Sequence, residues 1–162
     1  MRKIGIIGGT GVEDASRFGT LEPVTVKTPF GEAHCLKTTL NGHEVYFMAR
    51  HGANHSLPPH KINYRANIFA LKQLGVTEIL SFTAVGSINV ALRPGTFVVC
   101  SQLLDFTKNR VNTFFNGEGG KVAHVDFAYP YCPVVRERVI HALMQLGLRH
   151  CKQGTYVVTE GP

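Results

Sequence analysis

Four polar residues follow short apolar runs at positions where their side chains could bind a small anion. The run from Ile4 to Ile7 leads into a glycine-rich turn at 8–11, another run ends at Arg50-His51, and a third ends at Thr83. Glycines let a turn bring bare N–H groups up to an anion, and a threonine hydroxyl adds a further donor. Arginine presents a planar fork of donors that fits phosphate or carboxylate oxygens. We therefore predict one phosphate-sized site bounded by Thr10, Arg50, His51 and Thr83.

Arg50, His51 and Thr83 also have a purely structural explanation. Arg50 could be a surface arginine beside a structural histidine, and Thr83 could belong to an ordinary turn. The argument for a site is the coincidence of three strand ends, because ligands of open α/β sheets collect at the carboxyl ends of the strands.

A metal site made of His51, His55 and His60 is a weaker alternative. The spacing of His51 and His55 aligns two imidazole rings only if the segment is helical. Gly52 and the pair Pro58-Pro59 favour a loop instead, so no metal is expected here.

A dinucleotide-binding module would begin with the same strand and glycine turn. Its G-x-G-x-x-G pattern, if it starts at Gly9 and Gly11, requires a third glycine at position 14. That position holds Asp14. A dinucleotide site is therefore not expected.

The apolar pattern predicts the elements that would position these residues. Ile4–Ile7 is short and uniformly apolar, as in a buried parallel strand. Residues 23–48 alternate apolar and polar side chains around Asn41-Gly42, which is the strongest short-range signal for a hairpin. Helix, glycine and strand in succession are typical of a parallel sheet, so we predict an α/β fold with a mixed central sheet flanked by helices. Helices are predicted at Lys61–Leu74 and Pro133–Leu146, and further strands at Thr77–Phe82, Thr96–Leu104 and Thr155–Val158.

Composition narrows the class of protein. A chain of 162 residues with 44% hydrophobic and 17% charged residues suits one soluble domain over residues 1–162. Lys and Arg outnumber Asp and Glu by 17 to 11 but are dispersed, which favours a small anionic ligand over nucleic acid.

The cysteines and the lengths of the apolar runs indicate the cellular compartment of the protein. The four cysteines are far apart and form no CxxC pair, which favours reduced thiols in the cytoplasm. Residues 1–15 lack the apolar core of a signal peptide, and no run approaches the roughly 18 apolar residues of a membrane span. We expect a cytoplasmic protein with no membrane partner.

Seven short segments, in this order along the chain, carry a family resemblance. They are GIIGGTG at 5–11, TPFG at 28–31, ARHG at 49–52, NYRAN at 63–67, TAVGS at 83–87, DFTKNR at 105–110 and EGP at 160–162. With them the chain resembles the purine nucleoside phosphorylase and methylthioadenosine phosphorylase family, in its trimeric branch. Each segment alone is a weak signal, but the combination is specific and spans nearly the whole chain.

The resemblance implies phosphorolysis, in which inorganic phosphate attacks the anomeric carbon of a purine nucleoside or its 5′-methylthio form and releases the base. Thr10, the Arg50-His51 pair and Thr83-Ala84 match the family's phosphate-binding positions, and Val85-Gly86 match a segment that lines the base. His124 matches a position that reaches a neighbouring subunit's site near the 5′ group. The implied partners are the nucleoside and phosphate in a homotrimer, with no cofactor and no metal.

One departure from the family is large. Family members continue well past Glu160-Gly161-Pro162, and their later part supplies a methionine against the ribose and an Asp or Asn that meets the purine ring. We therefore expect the chain to be incomplete at its C-terminus, with the purine-contacting group beyond Pro162. The choice between 6-amino and 6-oxo purines is set largely by that missing part. The alternative is a non-catalytic phosphate-binding remnant, or a subunit of such an enzyme.

Overall fold

The structure is a computed structural model, and it describes residues 1–9, 18–117, 120 and 122–160. Its contacts group the chain into two compact units, one of residues 1–85 with 111–114 and the other of residues 86–110 with 115–162. The single domain over residues 1–162 stays a prediction. In chain order the elements are β1 Lys3–Gly8, β2 Glu22–Thr28, β3 Gly31–Leu40, β4 His43–Ala49, α1 Tyr64–Gln73, β5 Glu78–Ser81, β6 Phe97–Val98, β7 Gln102–Phe106, α2 Pro133–Gln145, β8 His150–Cys151 and β9 Thr155–Thr159.

A five-stranded mixed sheet in the order β2-β3-β4-β1-β5 forms the first unit. β1 lies between β4 and β5 and runs parallel to both, while β2, β3 and β4 form an antiparallel meander. The chain therefore leaves β1 toward one side of the sheet and returns, through α1, to its other side. The predicted parallel first strand, the antiparallel 23–48 region and the mixed sheet are confirmed.

The hairpin between β3 and β4 turns at the predicted dipeptide. Leu40 pairs with His43 across the turn, and Asn41 and Gly42 both adopt positive φ, at 49° and 76°. Two successive residues with φ above zero define the tight turn whose twist matches the flanking strands. Asn and Gly are the residues that adopt this conformation most readily, which is why the signal was readable in the sequence.

Both faces of the sheet are covered. Tyr46 and Met48 of β4 pack with Ala66, Ala70 and Leu71 of α1 on one face. The alternate residues Val45 and Phe47 pack on the other face, where Phe18 stacks on Phe47 with ring centroids 4.8 Å apart. A strand buried on both sides has few polar positions, which accounts for the apolar run before Arg50.

The first helix is shorter than predicted. α1 begins at Tyr64 instead of Lys61, because Asn63 caps it: its Oδ1 accepts from Ala66 N at 3.1 Å. Residues 59–61 form a separate turn of 3₁₀ helix that begins with Pro59. The cap leaves Ile62, which lies inside the predicted helix, buried ahead of the observed one.

The second unit contains two parallel strand pairs and a helix. β6 pairs with β8 and β7 pairs with β9, and α2 buries Ile140 and Leu143. Leu146, the last residue of the predicted helix, follows the observed one and is exposed. Apolar side chains on the β7–β9 pair are also exposed, with Leu104 at 47% and Phe106 at 59%.

The prediction of a single strand at Thr96–Leu104 is wrong, because this segment contains β6 and most of β7 as two separate strands. The guanidinium of Arg136 donates to Cys100 O at 2.8 Å and to Lys152 O at 2.7 Å. These carbonyls mark the break between the two strand pairs, since a carbonyl turned toward a side chain leaves the ladder. β7 also continues through Asp105 to Phe106, beyond the predicted end.

Glu160 binds the DFTKNR segment of residues 105–110. It directly follows β9. Its carboxylate accepts from the backbone N–H groups of Lys108 at 3.0 Å and Asn109 at 3.2 Å, and from Asn109 Nδ2 at 3.1 Å. The hydrogen bond from Lys108, followed by the others, lowers the pKa of Glu160 below its usual value. Two of the resemblance segments are thereby joined.

The helices bear on membrane partners. Within the described part of the chain, no helix is long and apolar enough to cross a bilayer.

A charged cluster on β1, β3 and β4 yields a test of stability. Glu44 accepts from Tyr46 OH at 2.9 Å and pairs with Lys3 Nζ at 3.1 Å and Lys37 Nζ at 3.4 Å. The Tyr46 hydrogen bond and then Lys3 lower the pKa of Glu44 from 4.5. A carboxyl whose pKa is lowered by folding stabilises the native state above its unfolded pKa, and this stabilisation is lost as the pH falls through the folded value.

Glu44→Gln should therefore lower the melting temperature at about pH 7, and lower it by less at about pH 3, because protonation of the wild-type carboxylate increases as the pH falls. Glu32→Gln is the matched control, since Glu32 faces Lys27 at 4.0 Å with both side chains largely exposed, and it should change little at either pH. Thermal unfolding followed by circular dichroism measures both. A Glu44→Gln deficit that is equally large at both pH values would show that the charge of Glu44 is not what stabilises the sheet.

Candidate functional site

Three neighbouring strand ends meet at one edge of the five-stranded sheet. Arg50 N donates to Gly8 O at 3.1 Å, which ties the end of β4 to that of β1. Phe82 N donates to Ile7 O at 2.9 Å, which ties the end of β5 to β1 from the other side. The carboxyl edge of a sheet, where the connections leave in opposite directions, is the usual ligand site of open α/β folds.

The Arg50 side chain bridges this edge. Its Nη1 donates to Phe82 O at 2.8 Å and its Nη2 to Thr83 Oγ1 at 2.9 Å. A guanidinium has five N–H donors, and these two bonds use two of them. Both acceptors are neutral oxygens, so neither bond cancels the positive charge. Arg50 is thus fixed in place while its charge is retained.

The Thr83 hydroxyl is oriented by the same contact. Because Thr83 Oγ1 accepts from Arg50, its own hydrogen must point elsewhere. The distance from Oγ1 to Ala84 O is 3.5 Å, at the outer limit for a hydrogen bond. Thr83 is also exposed. The hydroxyl can therefore donate to an anion oxygen beside the guanidinium.

Gly9, directly after β1, lies against the Arg50 guanidinium. A Cβ built at Gly9 would overlap Arg50 Nη2 and would approach Nη1 to 3.0 Å. Any side chain at this position would thus have to displace the arginine. Glycine is required here for close approach, and its backbone φ is not in the left-handed region.

His51 is held by contacts of its own, with Leu57 and His55. It is 7% exposed, and its Nδ1 lies 2.9 Å from Leu57 O. A carbonyl only accepts, so Nδ1 carries a hydrogen and Nε2 of the neutral ring is an acceptor. The ring also stacks on His55, with centroids 4.2 Å apart and planes at 19°.

The remaining predicted site residues are Thr10, Ala84, Val85, Gly86 and His124. Thr10 lies outside the described residues. Ala84 and Val85 follow Thr83 in the first unit and are exposed, whereas Gly86 and His124 are exposed residues of the second unit. Arg50 and Thr83 are brought into direct contact, and His51 is the next residue along the chain.

Across residues 1–9, 18–117, 120 and 122–160, no group of three or more His, Cys, Asp or Glu side chains is placed to hold a metal ion.

Comparison with known proteins bears on the fold and the site together. Residues 3–162 match the profile of the phosphorylase superfamily. The chain belongs to the phosphorylase superfamily. A probable 6-oxopurine nucleoside phosphorylase of Dictyoglomus turgidum is 52% identical over 160 residues, which are 99% of this chain and 61% of that protein. An S-methyl-5′-thioadenosine phosphorylase of Thermofilum pendens is 44% identical over 162 residues, again 99% of this chain and 61% of the relative.

The solved structures agree with this assignment. The methylthioadenosine phosphorylase of Schistosoma mansoni in complex with adenine superposes with a TM-score of 0.92 at 33% identity. The match covers all of this chain and 66% of that one. The predicted fold class and family resemblance are confirmed. The chain spans less than two thirds of the length of these relatives.

Sequence reasoning missed three contributors to the site. They are Gly9, which accommodates the guanidinium, the carbonyl of Phe82, which anchors it, and His55, which stacks on His51. Gly9 was readable only as part of a flexible turn, and a backbone carbonyl carries no sequence signal. His55 was considered only as a metal ligand.

Gly9→Ala should displace the Arg50 guanidinium and weaken binding of inorganic phosphate by roughly tenfold to a hundredfold. Calorimetric titration with phosphate measures the effect. If Gly9 acts through Arg50, the double variant Gly9→Ala/Arg50→Ala should bind no more weakly than Arg50→Ala alone. Additive losses in the double variant would instead assign Gly9 a separate role.

Proposed function

We propose that this protein catalyses the phosphorolysis of a purine nucleoside, or of its 5′-methylthio form, to free base and the corresponding ribose 1-phosphate. The observation that carries the proposal is the Arg50–Thr83 contact at the meeting point of three strand ends. The names of the superfamily relatives support it, because they include both purine nucleoside and methylthioadenosine phosphorylases.

Phosphate is proposed to bind at Thr10, Arg50, His51, Thr83 and Ala84. A phosphate oxygen attacks the anomeric carbon as the bond to the purine nitrogen breaks. On balance, the attacking phosphate gives up one proton and the leaving base takes up one. The transition state is expected to resemble an oxocarbenium ion. A phosphate fixed beneath the sugar therefore serves as nucleophile and as the opposing charge. No cofactor other than phosphate as co-substrate is part of the proposal.

Base release is the direct test of this function. The protein is incubated with inosine or with methylthioadenosine, with and without inorganic phosphate, and the free base is measured. Phosphate-dependent release supports phosphorolysis, and the faster substrate defines the base and 5′ preference. Equal release without phosphate would indicate hydrolysis and contradict the proposal. Phosphate binding without any base release would favour the second candidate, a non-catalytic phosphate-binding protein or subunit.

Arg50→Ala should weaken phosphate binding much more than nucleoside binding. The arginine supplies a charged contact that is worth about 2–5 kcal/mol when the ion pair is desolvated. Apparent affinities for each substrate, measured by varying one at a fixed concentration of the other, give the comparison. Unchanged phosphate affinity would remove Arg50 from the site.

Thr83 offers a matched pair of variants for the same question. Thr83→Val replaces the hydroxyl with a methyl group of similar size, whereas Thr83→Ser keeps the hydroxyl. Loss of phosphate affinity in the first and retention in the second would assign the effect to the hydroxyl.

We also propose that the protein works in the cytoplasm as a homotrimer. In this homotrimer, Val85 and Gly86 line the base, and His124 reaches a neighbouring subunit's site near the 5′ group of the nucleoside. Exposed apolar side chains around His124 support a subunit contact, since they include Val122 at 80% and Val125 at 70% exposure. Solution mass determined by light scattering tests the assembly. A monomer at concentrations where base release is full would contradict it.

A further inference from the structure

His55 covers one face of the His51 ring. The two imidazoles are stacked at 4.2 Å between centroids, with an angle of 19° between planes. His51 is buried, whereas His55 is exposed. The contact therefore places an exposed ring against a buried one beside the candidate phosphate site.

The backbone between the two histidines adopts an unusual conformation. Asn54 and His55 both have left-handed φ, at 55° and 56°, although neither is glycine. Gly52 has φ 74°, and a Cβ there would meet Ser56 Oγ at 2.9 Å. Left-handed conformation at non-glycine residues costs free energy and tends to occur at functional sites. Here this conformation is what turns the His55 ring back onto His51.

Leu57 closes the same loop with two bonds to His51. Leu57 N donates to His51 O at 2.8 Å, and Leu57 O accepts from His51 Nδ1 at 2.9 Å. The side-chain bond fixes the edge of the ring that carries Nδ1. Stacking by His55 restricts movement perpendicular to the ring. The hydrogen bond and the stacking together fix the orientation of the His51 ring. The direction in which Nε2 points, on the opposite side of the ring from Nδ1, is thereby fixed as well.

We propose that His55 is a positioning residue for phosphate binding, which acts by holding the His51 ring with Nδ1 protonated and Nε2 directed to the ligand, where Nε2 accepts from a P–OH group of phosphate. The proposal rests on the proposed function in one respect only, namely that His51 contacts phosphate. The role requires a flat side chain at position 55 and does not require that side chain to titrate.

Two substitutions at position 55 distinguish the effect of ring stacking from the effect of side-chain size. His55→Phe keeps a flat aromatic ring, and His55→Leu keeps an apolar side chain without a stacking face. His55→Leu should raise the dissociation constant for inorganic phosphate about three- to tenfold, as expected for the loss of an aromatic pair. His55→Phe should stay within about twofold of wild type. His60→Leu, at an exposed histidine five residues later, is the matched control and should bind phosphate as wild type does.

A double-variant comparison tests whether His55 acts through His51. In a His51→Ala background, His55→Leu should cause no further loss of phosphate affinity. Wild-type affinity in His55→Leu, an equal loss in His55→Phe and His55→Leu, or an undiminished loss without His51 would each overturn the proposal.

A second readout does not depend on phosphate. Nitrogen-15 NMR of the imidazoles, recorded without ligand, reports which His51 nitrogen carries the hydrogen. Wild type and His55→Phe should show a single Nδ1–H form, and His55→Leu a mixture of both tautomers. The same Nδ1–H form in all three proteins would overturn the positioning role. If wild type and His55→Phe show the single form, His55→Leu shows the mixture, and the protein binds no phosphate, the proposed function fails while the positioning of the His51 ring by His55 stands.

Discussion

The parallel pairing of β1 with both β4 and β5 is the constraint on which the candidate site depends. It aligns three strand ends at one edge, so that Gly9, Arg50 and Thr83, which are far apart in sequence, become neighbours. The sheet can hold this arrangement because both of its faces are packed, by α1 on one side and by Phe18 and its neighbours on the other. Without the central β1 strand the arginine would have no fixed partner.

The electrostatics of Arg50 differ from those of the two carboxylates described in detail, Glu44 and Glu160. Glu44 is surrounded by Lys3 and Lys37, and Glu160 is held by the backbone and side chain of Asn109 and its neighbours. Those carboxylates are satisfied within the protein and serve the fold. Arg50 is instead held by a carbonyl and a hydroxyl, which orient it without opposing its charge. A cation preorganised in this way loses little conformational freedom when it binds an anion.

The elements were predictable where local rules decide them. The Asn41-Gly42 hairpin, the uniformly apolar β1 and both helices follow from residue preferences over short windows. The prediction was wrong where distant residues decide. The strand predicted at Thr96–Leu104 is divided because Arg136, more than thirty residues later, binds the carbonyl of Cys100. A second error has a local cause. α1 begins at Tyr64 because the side chain of the preceding residue, Asn63, caps the helix, and that side chain also donates to Phe30 O at 2.6 Å.

The sequence by itself determined the family, through the resemblance of seven short segments. It also determined the α/β class and the choice of Arg50, His51 and Thr83 as candidates, because strand ends carrying glycine, arginine and hydroxyl residues are visible as local patterns. Only the tertiary structure decided which of them touch. It showed that Arg50 bonds to Thr83, that Gly9 is the surface against which the guanidinium lies, and that His55 stacks on His51. These contacts depend on the strand order of the sheet and on the backbone dihedrals of the loops. The identity of a residue at any one position specifies neither the strand order nor the loop dihedrals.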